Sequence, residues 1–371
     1  MTVTTLTVPT SPLTDPWAAD TGTILRAQHG QRVSAQLVTR TGVLITTLQI
    51  VGGTVAWDET RAPRVAASLD VRTLDSQAAY DQADPRAAVR LQVSAGYVRP
   101  GGVTDIHPLA DLSLRARTLN RPDNTLRMTA ASDESIVVDN SPISDTVMSG
   151  TAQSLIQSLV AAAMGSTPAW VVDVDASAAV TLDAVTDRFA SLNDVADQIG
   201  ARVYDDGLRT WHIGPSVVAG TTAAAVLLVG AGGVLVSTEA TMQRSGDYFN
   251  RVVLDYRWRT AAGVESKIIG VSAQASGPYA AGVENTVTYY ERRTTSSTQA
   301  TANAAAAAIL ARTVQRGRTF TLTAPSHYWL RPGHTVTVQL PLGPQERHIV
   351  QAVEFDLPTA RMTLTTRRPD A

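Results

Sequence analysis

The chain has 371 residues, 44% hydrophobic and 17% charged, with a formal net charge of −2 and a pI near 6.3. That length exceeds one ordinary core and predicts about two to four domains, and the apolar content excludes wholesale disorder. Near-neutral charge without a visible basic stripe argues against a polyanion binder, and the absence of cysteine excludes disulfides, thiolate metal sites and cysteine nucleophiles.

The N-terminus, Met1-Thr-Val-Thr-Thr, lacks the basic and apolar regions of a secretory signal. Residues 1–20, rich in Thr, Pro and Asp, read as an extended arm. From 21 to 119 the pattern is β. Alternation at 31–39 and 43–50 is followed by a strand–turn–strand over 53–72 and by strands at 88–98 and 110–119, with Pro100-Gly101-Gly102 as a turn. Short strands at this spacing, with little helix, predict a barrel or sandwich.

The texture changes over 120–216. A strand at 125–131 precedes Ser132-Asp133-Glu134, a candidate helix cap. A helix is predicted over 152–164, because Leu155, Ile156, Leu159 and Val160 share one face, Thr151 or Gly150 can cap its start, and Gly165 stops it. A second helix is predicted over 192–199, opened by a capping-box-like Ser191 and Asp194 and closed by Gly200. Segments 201–204 and 208–213 then pair across Asp205-Asp206-Gly207, a hairpin signal.

Residues 217–371 return to β, with strands at 225–229, 234–237, 250–260, 266–271 and 286–291. The apolar run 223–236 is broken by Gly230, Gly232 and Gly233 and is shorter than the ~20 residues of a membrane span, so it reads as a buried strand–turn–strand. An Ala-rich helix is predicted over 298–315, capped by Ser297 or Thr298 and stopped by Gly317, and suited to close packing on a sheet. Three strands close the chain, at 335–340, 348–355 and 361–366. The expected fold is mainly β, with two β modules flanking a mixed α/β insert.

No armed chemical motif stands out. The six histidines, His29, His107, His212, His327, His334 and His348, lack metal-ligand spacing. Asp133-Glu134 and Asp205-Asp206 are the candidate acid pairs for glycoside cleavage, weighed against structural work in a cap and a turn. Asp173-Val174-Asp175 opens like a calcium loop, but Ser177 and Ala178 break the frame. Gly230-Ala-Gly-Gly233 lacks the Lys-Ser/Thr of a phosphate loop, and no nucleophile elbow is present. Candidate subunit-interface residues are Asp58, Arg61 and Arg64, a charged corner also explained as an ion pair fixing that corner, and Tyr289 and Tyr290. The two tyrosines, with Tyr256 and Trp258, are also explained as core or as a sugar platform.

Stretch 53–71, GTVAWDETRAPRVAASLDV, resembles the strand–turn–strand near the start of actinobacteriophage minor tail proteins. Stretch 191–213, SLNDVADQIGARVYDDGLRTWHI, resembles the helix and hairpin of tail hub proteins, and YFNRVV at 248–253 is similar to a strand of the same family. The closing RPGHTVTV at 331–338 and IVQAVE at 349–354 are similar to its last barrel strands. The resemblance implies two tail-tube-like β-barrels, at 21–119 and at 217–371 with helix 298–315, and a homotrimeric hub at the virion tail tip. That hub would be made in the host cytoplasm, would join the sixfold tail tube to threefold tip components and would let genomic DNA pass through its lumen. The implied partners are further copies of the chain, the tail tube or distal tail protein, the tape measure protein and tip fibre or spike proteins. Neither an enzyme activity nor a cofactor is implied. The end at Ala371, right after the last strand, carries the expectation that lysis and receptor binding reside on other proteins. The competing readings are a carbohydrate-binding attachment module and a tail-associated cell-wall hydrolase.

Overall fold

The computed structural model describes residues 30–367 apart from 75, 100, 121–122, 141–146, 183–184, 186, 216, 218–222, 229–233, 243, 245–247, 261–262, 278 and 340–344. The expected arm at 1–20, the centre of the apolar run and Ala371 lie outside the described residues.

The first region contains β1 (Gly30–Val38), β2 (Leu44–Leu48), β3 (Ile50–Asp58), β4 (Val65–Arg72), helix α1 (Gln77–Gln82), β5 (Arg90–Val98), β6 (Thr104–Asn120) and β7 (Thr125–Ala131). The second contains α2 (Glu134–Asp139), β8 (Met148–Thr151), α3 (Ala152–Met164), β9 (Ala169–Val172), β10 (Ala179–Leu182), α4 (Arg188–Gln198), β11 (Ala201–Asp205) and β12 (Thr210–Pro215). The third contains β13 (Ala225–Leu227), β14 (Ser237–Met242), β15 (Arg251–Arg259), β16 (Glu265–Ala273), β17 (Thr288–Arg293), α5 (Gln299–Thr313), β18 (Arg318–Pro325), β19 (Thr335–Gln339), β20 (Gln345–Asp356) and β21 (Arg361–Arg367).

Alternation decides which faces are buried. On β4, Val65, Ala67, Leu69 and Val71 point inward and are buried, while Ala66 and Arg72 are exposed. Seven strands of the first region form the antiparallel order β3-β4-β7-β6-β5-β1-β2. The two end strands, β2 and β3, are consecutive and joined by Gln49 alone, so the sheet must curl until its ends meet at that corner.

Mainly-β character is as expected, but the two-barrel expectation needs correction. Among the described residues no sheet closes into a barrel, and both β regions share one 13-stranded sheet. The reason lies in β20, which is 12 residues long, pairs with β21 along one edge and shares its other edge between two further strands. Its first half pairs with β19, and its second half, Ala352 to Asp356, pairs with Asp58 to Thr54 of β3, with a bulge between Val350 and Ala352. The core is continuous across this seam. Trp57 meets Phe355 edge-on at 5.7 Å, and Tyr97 meets Tyr328 at 5.5 Å.

Two smaller cores stand beside the large sheet. Helices α3 and α4 pack with the sheet β11-β12-β9 around Ile156, Leu159, Val195 and Trp211. Helix α3 has the expected limits: Thr151 accepts from the Ser154 N–H at 3.2 Å, and Gly165 ends the helix at φ +67°. Helix α4 begins four residues before the expected start, because Asp187 caps it by accepting from the Ala190 N–H at 2.9 Å. The Ala-rich α5 does not cover the large sheet. It lies on the separate sheet β16-β15-β17, where Ala302, Ala305 and Ala306 are buried against Val252, Leu254 and Tyr256. The approach is close because Gly270 has no side chain: a Cβ there would sit 2.3 Å from the Ala302 carbonyl oxygen.

Candidate functional site

The charged corner lies where β3 ends. Asp58 accepts from the Thr60 N–H at 2.9 Å and pairs with Arg61 at 3.0 Å, while the Arg61 side chain stays exposed. Arg64 turns the other way. Its N–H donates to the buried Glu134 at 2.6 Å, and its guanidinium donates to the Val203 carbonyl and lies 5.9 Å from the Tyr204 ring. The corner residues therefore divide, with one pair outward and Arg64 tying β4 to α2 and β11.

That tie belongs to a cluster built from both candidate acid pairs. Asp133, Glu134 and Asp205 converge, each at most 1% exposed. The Asp133 N–H donates to Asp205 Oδ2 at 2.8 Å, and the Asp205 N–H donates to Glu134 Oε1 at 3.2 Å. Asp205 Oδ1 accepts from the Gly207 N–H at 2.9 Å, and Arg209 pairs with Asp133 at 3.1 Å. Burial pushes all three carboxyls above their ordinary range, and for Asp205 the neighbouring Asp133 adds to it. Asp206 is occupied separately, accepting from the Leu208 N–H at 2.6 Å and the Thr210 N–H at 3.2 Å. These carboxylates latch the α/β region onto the end of the large sheet. We expect Glu134→Gln to cost about 1–3 kcal/mol, because one of its two amide donors would then face an NH2 group. Urea unfolding measures this, and an unchanged midpoint refutes it.

A second buried ionic cluster escaped the sequence reading. Arg293 of β17 is 2% exposed and reaches Asp194 at 3.1 Å, Asp197 at 2.8 Å and Glu291 at 3.0 Å. Arg312 of α5 also holds Asp197, at 2.9 Å. Asp194 thus pairs with Arg293 from within α4 and does not open that helix. Its carboxyl is pushed up to about 7, by burial first, against the pull of Arg293 and with Glu291 and Asp197 reinforcing the rise. The available signal was the Glu291-Arg292-Arg293 run, where alternation on a strand sends Arg293 inward.

Tyr289 and Tyr290 lie on opposite faces of β17, so they do not make one platform. Tyr289 is half-buried, packs edge-on with Phe249 at 5.3 Å and donates to Glu291 at 2.8 Å. Tyr290 is 60% exposed and donates to Asp255 at 2.9 Å.

The described histidines are dispersed. His107 meets Asp105 at 2.5 Å, His212 stacks on Tyr204 at 4.9 Å, and His348 lies 3.3 Å from Glu346. Among the described residues, no three His, Asp or Glu side chains are grouped to hold a metal. Asp175 accepts from the Ser177 N–H at 3.0 Å, a local turn. His334 follows Gly333 in the turn before β19. Burial, then Arg331 and Arg202, bring its pKa down to about 4. The unfolded chain, with a pKa near 6.5, binds the proton more readily, so stability present above pH 6.5 is lost as pH falls towards 4. We expect up to about 3 kcal/mol of acid sensitivity in that window from this group. Thermal melts of His334→Gln should show a flatter profile between pH 6.5 and 4; a profile matching wild type counts against the assignment.

No protein family profile matches the chain, and no curated protein matches it in sequence. Solved structures do match it in fold. The tail protein from Neisseria meningitidis MC58 aligns with TM-score 0.64 at 14% identity, covering 91% of this chain and 97% of that one. The 43 kDa tail protein of prophage MuSo2 from Shewanella oneidensis aligns with TM-score 0.62 at 12% identity, covering 92% and 99%. Prophage tail protein gp18 from Listeria monocytogenes EGD-e aligns with TM-score 0.52 at 11% identity, covering 91% and 95%. The chain has the fold of phage tail proteins. The likeness runs through the large sheet, the α/β region and the small sheet together, since it spans nine-tenths of the chain.

Proposed function

We propose that this chain is a structural, non-enzymatic virion protein that forms a homotrimeric hub at the distal tail tip. In this reading the hub joins the sixfold tail tube to threefold tip components. The curled sheet of the first region and the strands β18 to β21 act as the two tube-like modules, and together three copies enclose the channel through which genomic DNA leaves. Neighbours would be the tail tube or distal tail protein, the tape measure protein and the tip fibre or spike proteins.

The observation that carries this reading is the near full-length match to tail proteins, with both β regions fused in one sheet through β3 and β20. Exposed sheet ends support it. Among the described residues β2 pairs only with β1 and β14 only with β18, and Leu44 and Met242 are 56% and 74% exposed. Such edges invite pairing with another chain, and a closed ring satisfies them. The test is electron microscopy of purified particles with labelled antibody against this chain and symmetry analysis of the tail tip. Threefold density at the tip is expected; label on the capsid, or none on the particle, overturns the reading.

A further inference from the structure

Among the described residues the small sheet β16-β15-β17 has one face under α5 and the other left open. Alternation places Val253 of β15, Ile269 and Val271 of β16, and Tyr290 of β17 side by side on the open face, since Val253 pairs with both Val271 and Tyr290 in register. Ile269, Val271 and Tyr290 are 42%, 41% and 60% exposed. Exposed apolar residues gathered in this way mark an interaction surface.

The rim of the face is cationic. Arg251, Arg257, Arg259, Lys267 and Arg292 occupy the same face and are exposed, against the carboxylates of Glu265 and Asp255. Asp255 is 2% exposed because its neighbours lean onto it: Arg257 at 2.8 Å, Lys267 at 3.9 Å and the Tyr290 hydroxyl at 2.9 Å. An apolar centre with aromatic and arginine anchors and a charged rim is the anatomy of a protein interface.

The chain itself carries the complement. Residues 133–215 hold twelve Asp or Glu against three Arg, whereas 251–317 hold eight Arg or Lys against four Asp or Glu. The overall charge of −2 conceals this segregation. Within one copy the described contacts of the acidic region with this segment run through Arg293 of β17, Arg312 of α5 and the stretch just after β17, where Leu182 bridges Thr295 and the Ser296 N–H donates to the Thr181 carbonyl. The open face is on the other side of the sheet from Arg293, and Asp173, Asp175 and Asp187 of the acidic region are exposed.

We propose that the open face of β16-β15-β17 docks against the acidic α/β region of a second copy, in a head-to-tail contact. The contact rests on the self-assembly reading above and names its surfaces. Opposite charges on the two ends steer the encounter, and the apolar strip supplies the buried area.

The absence of cysteine makes a clean test. Val271→Cys protein is mixed with Asp173→Cys, Asp175→Cys or Asp187→Cys protein under mild oxidation. In parallel, the dissociation constant of self-association is measured by sedimentation for wild type and for Ile269→Glu/Val271→Glu. A covalent dimer in at least one mixture, absent from each protein alone, is expected, together with a tenfold or greater weakening in the Glu variant. Arg257→Glu/Arg292→Glu is the second variant, with far-ultraviolet circular dichroism to confirm folding. A monomeric wild type, or undiminished association with no mixed disulfide, overturns the proposal. So does salt-sensitive capture of duplex DNA by this face with self-association unaltered. Particle labelling is independent of these readouts, so the contact can fail while the tail role stands.

Discussion

Arg293→Met is expected to destabilise the protein by about 3–5 kcal/mol, because removing one partner of a buried ion cluster strands the others. Among the described residues Asp194 and Asp197 would keep Arg312 as their one arginine, paired with Asp197, and Glu291 would lose the arginine beside it. Three elements separate at once: α4, β17 and α5 each supply a member of this cluster. A cost of this size shifts the urea midpoint well beyond error. The acids that remain should take up protons, so the variant should recover part of its stability as the pH is lowered towards 5. A variant with wild-type stability at pH 7 would show that the cluster contributes no net stabilisation. Replacing the whole cluster with apolar side chains is a separate experiment, and its outcome can be neutral or favourable.

Trp57→Ala should cost a similar 3–5 kcal/mol, the usual range for removing a buried indole. Trp57 is 3% exposed and sits at the seam. Its ring meets Phe355 of β20, the Arg331 guanidinium lies 4.2 Å above it, and its Nε1–H donates to the Asp206 carbonyl at 3.2 Å. One side chain thus touches the first β region, the junction strand and the α/β hairpin. Denaturant unfolding followed by tryptophan fluorescence and by circular dichroism should lose its single transition in this variant if the seam opens first. A loss below about 1 kcal/mol would mean that the cavity collapses around the site.

Local signals in the sequence translated well. Helix α3 was legible to the residue, because a threonine cap, an apolar stripe and a left-handed glycine all agree. The hairpin of β11 and β12 was legible from Asp205-Asp206-Gly207. What stayed hidden depends on distant pairing. Nothing near β3 announces that its partner is β20, because period-two alternation defines a face and leaves the neighbour open. The same limit kept Asp133-Glu134 apart from Asp205-Asp206, although the fold places three of these four acids in one cluster. Ser191 and Asp194 satisfied a capping pattern, yet Asp187 was the nearer acceptor for the first turn. The basic face was invisible as a stripe because its five cations are spread over three strands, each contributing only alternate residues.

The seam between β3 and β20 also sets a timetable. Strand β3 leaves the ribosome roughly 300 residues before its partner exists. At ~5–20 residues per second, that interval is about 15–60 s. Throughout it, β3 has a bare edge and Trp57 lacks the ring that will cover it. The nascent chain therefore passes through a period in which β3 of one copy can pair with that of another, and holdase chaperones or slow initiation would decide how much material survives it.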